Sequence, residues 1–310
     1  MRGKGLRLHR RAPHGERSLR PSLFEMAAMR AERSGGKGQD AVTGEDALRR
    51  LQVLEDERQV LAKQLEEQRR LRAAMLALHE PDAMQAERQV SLLWRGRPVQ
   101  LSCRQDAARA QGGLLWSSGV LLARYLAMFG LGQPRRERQR VLELGCGAAA
   151  LPSLISSALG ADVLATDLPE VIPLAEENVR RNSAIVGEEG LRLSSFDWTK
   201  EAPFDVAFDM VLMADLLYDP SCQEELVQCL AGSVCHDEGL VLLAFKERDA
   251  LIESRFFQHL VQLGASQPEF LDISPELAED LEVKQLRLCK VSFQAGEACQ
   301  KASEVDGLYL

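Results

Sequence analysis

No C-x-x-C pair occurs in this 310-residue chain, although it holds seven cysteines, at Cys103, Cys146, Cys222, Cys229, Cys235, Cys289 and Cys299. Their spacing and odd number argue against a structural zinc site and a disulfide framework, and fit a reducing compartment. The five histidines are scattered without the spacing of metal ligands, so no metal is expected. There is no secretory h-region and no uninterrupted apolar run of membrane-spanning length, so no membrane partner is expected. A net charge of −8 argues against a protein that coats nucleic acid, and no specific nucleic-acid partner is expected. Internal repeats and low-complexity tracts are also missing.

The charge that is present is unevenly placed. Residues 1–38 hold ten Lys/Arg against three Glu, net +7, which leaves −15 for the rest of the chain. The Arg-rich head "MRGKGLRLHRRAPHGERSLR" is compatible with an organellar transit peptide, with a disordered tail, or with sequence upstream of a start at Met26. The expected location is cytoplasmic, with organellar targeting by the head as the alternative. "SGGKGQDAVTG" reads as a polar linker, so residues 1–45 form one segment. Residues 46–80 form a second, a long helix without Gly or Pro until Pro81. Its stripe of Leu51, Leu54, Leu61, Leu65 and Met75 is interrupted at the seam by Arg58, Gln68 and Arg72, which predicts an amphipathic helix packed on its own domain and not a sustained coiled coil.

From residue 88 to 310 the pattern is that of one α/β domain. "RQVSLLW" and "PVQLSC" around Arg95-Gly96-Arg97 predict a β-hairpin over 88–103, and a helix follows Trp116-Ser117-Ser118. From residue 139 apolar strands alternate with helical patterns: "RVLELG", "DVLATD", "LRLSSFDW", "FDMVLMAD", "GLVLLAFK" and a terminal "VKQLRLCKVSF" are the strands. Such alternation predicts a doubly wound sheet whose ligand crevice lies beyond the strand C-termini, where strand order reverses.

The chemistry centres on "VLELGCGAAALP", residues 141–152, where an apolar strand runs into the elbow Gly145-Cys146-Gly147. Two adenosine-bearing cofactors use a glycine turn after the first strand and an acid about 20 residues on, and Asp167 is the candidate acid for the ribose. Gly145-x-Gly147-x-x-Ala150 also satisfies a nicotinamide fingerprint. Charge favours the other cofactor. A dinucleotide brings a pyrophosphate that a nearby carboxylate repels, whereas S-adenosylmethionine brings a sulfonium and an ammonium that Glu143, two residues before Gly145, would attract.

The run of "LLWSSGVLLARYL", "VLELGCG", "ATDLPEVIPLAEENVRRN", "FDW" and "ADLLYD", in that order over about residues 88–250, resembles the seven-strand S-adenosylmethionine-dependent methyltransferases. Within them it resembles methyltransferase family 16, the lysine methyltransferases of non-histone proteins. The resemblance implies a seven-strand Rossmann-like doubly wound sheet, to which the residue pattern adds an N-terminal helical extension and a β-hairpin, with S-adenosylmethionine as cofactor and a protein as substrate. It implies that Trp116, Glu143, Gly145, Cys146, Gly147, Asp167, Leu168, Asp197, Trp198 and Ala214 surround the cofactor. The glycines would let main chain approach it where a Cβ would collide. Asp215 and Tyr218, the ends of a D-x-x-Y signature, would be catalytic and orient the lysine nitrogen. A histidine or small-amine acceptor and a non-catalytic interaction protein are the alternatives. Ala148-Ala149-Ala150 departs from the family pattern, which often has a glycine there; the basic head and long helix fall outside the resemblance.

Overall fold

Apolar strands between amphipathic helices can bury both faces only in a layered α/β sheet, and the computed structural model has that form. It describes residues 44–77, 85–109, 111–133, 137–185, 190–235 and 239–293. The expectations for the basic head and the polar linker, and those naming Pro81 and Cys299, lie outside the described residues.

Two compact units divide the chain, Met1–Glu66 and Glu67–Leu310. Helix α1 (Gly44–Ala77) runs across that boundary. Of the leucine stripe, Leu54 is 60% exposed and Leu61 64%. Glu55, Asp56, Glu57 and Arg58 supply charge on every side of the helix between those leucines, so no wide apolar face forms.

In the second unit, β1 (Glu87–Trp94) and β2 (Arg97–Arg104) form the hairpin, with Trp94 opposite Arg97. Its two-residue turn puts both Arg95 (φ 50°) and Gly96 (φ 73°) in the left-handed region that tight hairpins demand. Helix α2 (Ser117–Phe129) leads into the sheet. Then follow β3 (Arg140–Leu144), α3 (Leu151–Ala158), β4 (Asp162–Asp167), α4 (Ile172–Arg181), β5 (Leu191–Ser195) and β6 (Met210–Ala214). The chain continues through α5 (Gln223–Ser233), β7 (Leu240–Lys246), α6 (Ala250–Gln262), β8 (Glu269–Phe270), α7 (Pro275–Ala278) and β9 (Leu286–Ser292).

Seven strands lie in the order β5-β4-β3-β6-β7-β9-β8, parallel from β5 to β7, with β9 antiparallel to β7 and to β8. Strand order reverses at β3, so the elbow after Leu144 emerges at the switch point. Alternate residues supply the two faces: Val141, Met210, Leu212 and Leu242 pack with α2 and α3, while Leu142, Leu144, Val211, Met213 and Leu243 pack with α5 and α6.

The hairpin is fastened by two buried asparagines, Asn178 in α4 and Asn182 at its C-terminal cap. Asn182 accepts from the Ser102 N–H (3.0 Å) and donates to the Ser102 carbonyl (3.0 Å). Asn178 does the same at Arg104 and also donates to the Ala148 carbonyl (2.7 Å), which couples hairpin and elbow. These amides satisfy an edge of β2 that would otherwise be left bare. Among the described residues, no helix is long and apolar enough to cross a membrane.

Candidate active site

A crevice of about 900 Å³ opens beyond the C-terminal ends of β3, β4 and β6. The elbow at its floor turns because Gly145 (φ 62°) and Gly147 (φ 61°) both occupy the left-handed region. The reason for the first glycine differs from the sequence expectation. A Cβ on Gly145 would fall 2.5 Å from Leu216 Cδ2, so it makes room for a neighbouring side chain of the protein itself. At Gly147 a Cβ would meet only ordinary contacts, the nearest at 3.6 Å, and the backbone angle is the demand. The departure from the family's glycine carries a cost, since Ala150 itself adopts φ 46°.

Asp167, at the end of β4, holds the elbow from the side. Its Oδ2 accepts from the Gly147 N–H (2.7 Å) and its Oδ1 from the Leu168 N–H (2.7 Å). Burial pushes its carboxyl up to about 6, against the pull of those two main-chain bonds. A pyrophosphate site needs the elbow N–H groups free to point at the ligand. Here one is given to a carboxylate.

Trp116, Gly145, Gly147, Asp167, Leu168, Asp197, Trp198, Ala214, Asp215 and Tyr218 all line this one crevice. Trp116 is fixed by its indole N–H, which donates to the Gln111 carbonyl (2.9 Å). Asp197 belongs to a local turn: it accepts from the Thr199 hydroxyl (2.6 Å) and N–H and pairs with Lys200 (2.5 Å), bonds that hold its carboxyl below the usual range.

Two expected cofactor residues do not reach the crevice. Glu143 is fully buried, and alternation along β3 turns it to the face covered by α3. There its Oε2 accepts from the Ser153 N–H (2.9 Å) and hydroxyl, a cap on the first turn of that helix. Burial pushes this carboxyl up to about 8. Glu143 thus shapes the elbow through α3, with no wall position from which to meet a cation. Cys146, flanked by the two glycines, points inward among Ala150, Ala165 and Ala175, and burial drives its thiol well above the ordinary value.

Other features were missed from the sequence. The turn Gln111–Gly113 lies over the elbow, with the Gly112 carbonyl accepting from the Ala148 N–H (2.6 Å), and Arg109, Gln111 and Gly112 line the crevice. The glycine pair just before Trp116 is its signal. Asp215 is more constrained than expected: it takes φ 59°, and both its oxygens bond Arg248, Oδ1 to Nη1 and Oδ2 to Nη2, each at 2.8 Å. The signal was "KERD", a charged run directly after a buried strand.

The profile of a family described as lysine methyltransferase matches residues 97–263. The chain belongs to the lysine methyltransferase family. The match takes in the hairpin's second strand, the elbow, the D-x-x-Y segment and α6. Among similar proteins is the protein-lysine methyltransferase METTL21E of Bos taurus, 29% identical over 163 residues, which cover 51% of this chain and 55% of that one. Another is the protein N-terminal and lysine N-methyltransferase EFM7 of Eremothecium gossypii, 29% identical over 190 residues, covering 54% of this chain and 69% of that one. This chain spans little more than half the length of METTL21E. A solved methyltransferase structure from Pyrococcus furiosus aligns at 18% identity and a TM-score of 0.42 over 57% of this chain and 83% of that chain.

For a lysine methyltransferase the expected methyl donor is S-adenosylmethionine, and the crevice fits it in kind. Six carboxylates line the wall (Asp167, Glu170, Asp197, Glu201, Asp215, Asp219) against two cations, Arg109 and Lys200. That balance favours a cationic ligand over a phosphorylated one.

Proposed function

We propose that this chain is an S-adenosylmethionine-dependent N-methyltransferase acting on lysine side chains of a non-histone protein. The observation that carries this reading is the Asp167 carboxylate seated on the elbow N–H of Gly147, in an acidic crevice that also presents Asp215 and Tyr218. Family membership supports the acceptor class. The seven cysteines without a C-x-x-C pair support a reducing, cytoplasmic setting.

When bound, S-adenosylmethionine supplies a methyl group on a positively charged sulfur. Asp167 would accept from the ribose hydroxyls, Leu168 and Trp198 would flank the adenine with Asp197 at its border, and Trp116, Gly145, Gly147 and Ala214 would enclose the amino-acid portion. Asp215 and Tyr218 would orient the lysine nitrogen, with the Tyr218 ring facing the cation. A lysine ammonium, of ordinary pKa about 10.4, cannot attack until its proton leaves. A partly desolvated channel favours the neutral amine. The rate gain asked of these residues is orientation and electrostatics, with no covalent enzyme intermediate.

The test is transfer of radiolabelled methyl groups into lysate proteins, with sites mapped by mass spectrometry. Label on lysine is expected, falling about 100-fold or more in Asp215→Ala. Label that persists in the variant removes the catalytic assignment; label on histidine or a small amine changes the acceptor. Cofactor binding without transfer to any protein pool marks an interaction protein.

A further inference from the structure

Asp215 is held on one side by a cation that the crevice does not contain. Arg248, in the loop after β7, grips both carboxylate oxygens at 2.8 Å and is absent from the crevice wall. The carboxylate also accepts from the Lys246 N–H (3.1 Å), and the Asp215 N–H donates to the Ala244 carbonyl (2.8 Å). The loop that carries Arg248 is itself anchored: its N–H donates to Glu253 of α6 (2.7 Å), which is 5% exposed. Bidentate pairing of a planar guanidinium with a 4%-exposed carboxylate is a geometry that persists, unlike a loose surface pair.

The chemistry explains why such a clamp belongs there. A lone carboxylate beside the acceptor nitrogen would stabilise the ammonium and keep the lysine in its unreactive form. Paired with Arg248, the same carboxylate still offers a fixed oxygen acceptor but little net charge. Resting on the reading above, we propose that Arg248 is a positioning residue which masks the charge of Asp215, so that a lysine entering the crevice loses its proton to solvent near neutral pH.

Other titratable groups share the surroundings. Tyr218, Asp219 and Cys222 follow Asp215 on its own loop, Lys246 precedes Arg248, and Glu253 lies behind it. Around the crevice stand Asp167 and Glu170 after β4, Asp197, Lys200 and Glu201 after β5, and Arg109 ahead of α2. All are identical in wild type and an Arg248 variant, so a difference between their pH profiles reports the pair.

The experiment measures initial rates of tritiated methyl transfer into a lysate protein pool from about pH 6 to about pH 10, for wild type, Arg248→Gln, Arg248→Met and Arg248→Lys. S-adenosylhomocysteine calorimetry runs beside it. With Gln or Met the midpoint of the rate profile should rise by about one pH unit, cutting the neutral-pH rate about tenfold, with recovery at alkaline pH. The pool concentration giving half-maximal rate should fall or stay the same, since the exposed carboxylate holds ammonium better. Lys should restore much of the wild-type profile. An unmoved midpoint, with the rate lowered equally at every pH, overturns the proposal. Loss of S-adenosylhomocysteine binding in both the Gln and Met variants also overturns it, since Arg248 would then be a brace of the fold. A wild type that transfers nothing at any pH sinks the methyltransferase reading itself.

Discussion

The two walls of the crevice each present a buried aspartate, held in opposite ways. Asp167 is bonded by two main-chain N–H groups, and burial raises its carboxyl to about 6. Asp215 is bonded by a guanidinium on both oxygens. Main-chain N–H groups position a carboxylate without cancelling its charge, whereas an arginine does both. The first arrangement suits a group that must attract a cationic, hydroxyl-bearing donor. The second suits a group that must touch an amine without keeping it protonated. The difference between the walls therefore follows the proposed division between donor and acceptor.

Gly145 is where the walls meet, since the residue after Asp215 packs directly on it. Breaking the comparison there should give the largest effect. Gly145→Ala combines a left-handed backbone with a Cβ 2.5 Å from Leu216, so a loss of about 2–4 kcal/mol in denaturant unfolding is expected, along with weakened S-adenosylhomocysteine binding. Wild-type stability in this variant would mean that the elbow and the Asp215 loop move independently.

Glu143 sharpens the comparison as an acid belonging to neither wall. Its folded carboxyl titrates near 8 against an ordinary 4.5. The native state therefore holds the proton more tightly than the unfolded chain. The stabilisation is complete below about 4.5 and is lost as pH rises through about 8. Glu143→Gln should remove this part of the decline, at most about 1.4 kcal/mol per pH unit, and should change S-adenosylhomocysteine affinity by less than about threefold. Melting curves across that range check the first expectation; a large loss of affinity would return Glu143 to the cofactor.

The sequence pattern revealed most of this architecture where periodicity is strong. The hairpin predicted over 88–103 spans Glu87–Arg104, and the elbow sits at the switch point. The seventh strand, β8, is two residues long and too short to show a period. Charge makes Glu143 a candidate for a cationic cofactor, but charge does not say which face of β3 the side chain takes, and that face is covered by α3. Arg248 stands 33 residues from Asp215, and no local pattern links such a pair. Asn178 and Asn182 show in the sequence only as part of a helical run, since their partners on β2 lie 74 and 80 residues away.

The most direct test of the divided crevice is calorimetric titration of S-adenosylhomocysteine into wild type, Asp167→Asn and Asp215→Asn near neutral pH. Asp167→Asn should weaken binding about tenfold or more, while Asp215→Asn should stay within about threefold of wild type. Equal weakening by both, or a greater loss at Asp215, would contradict the account.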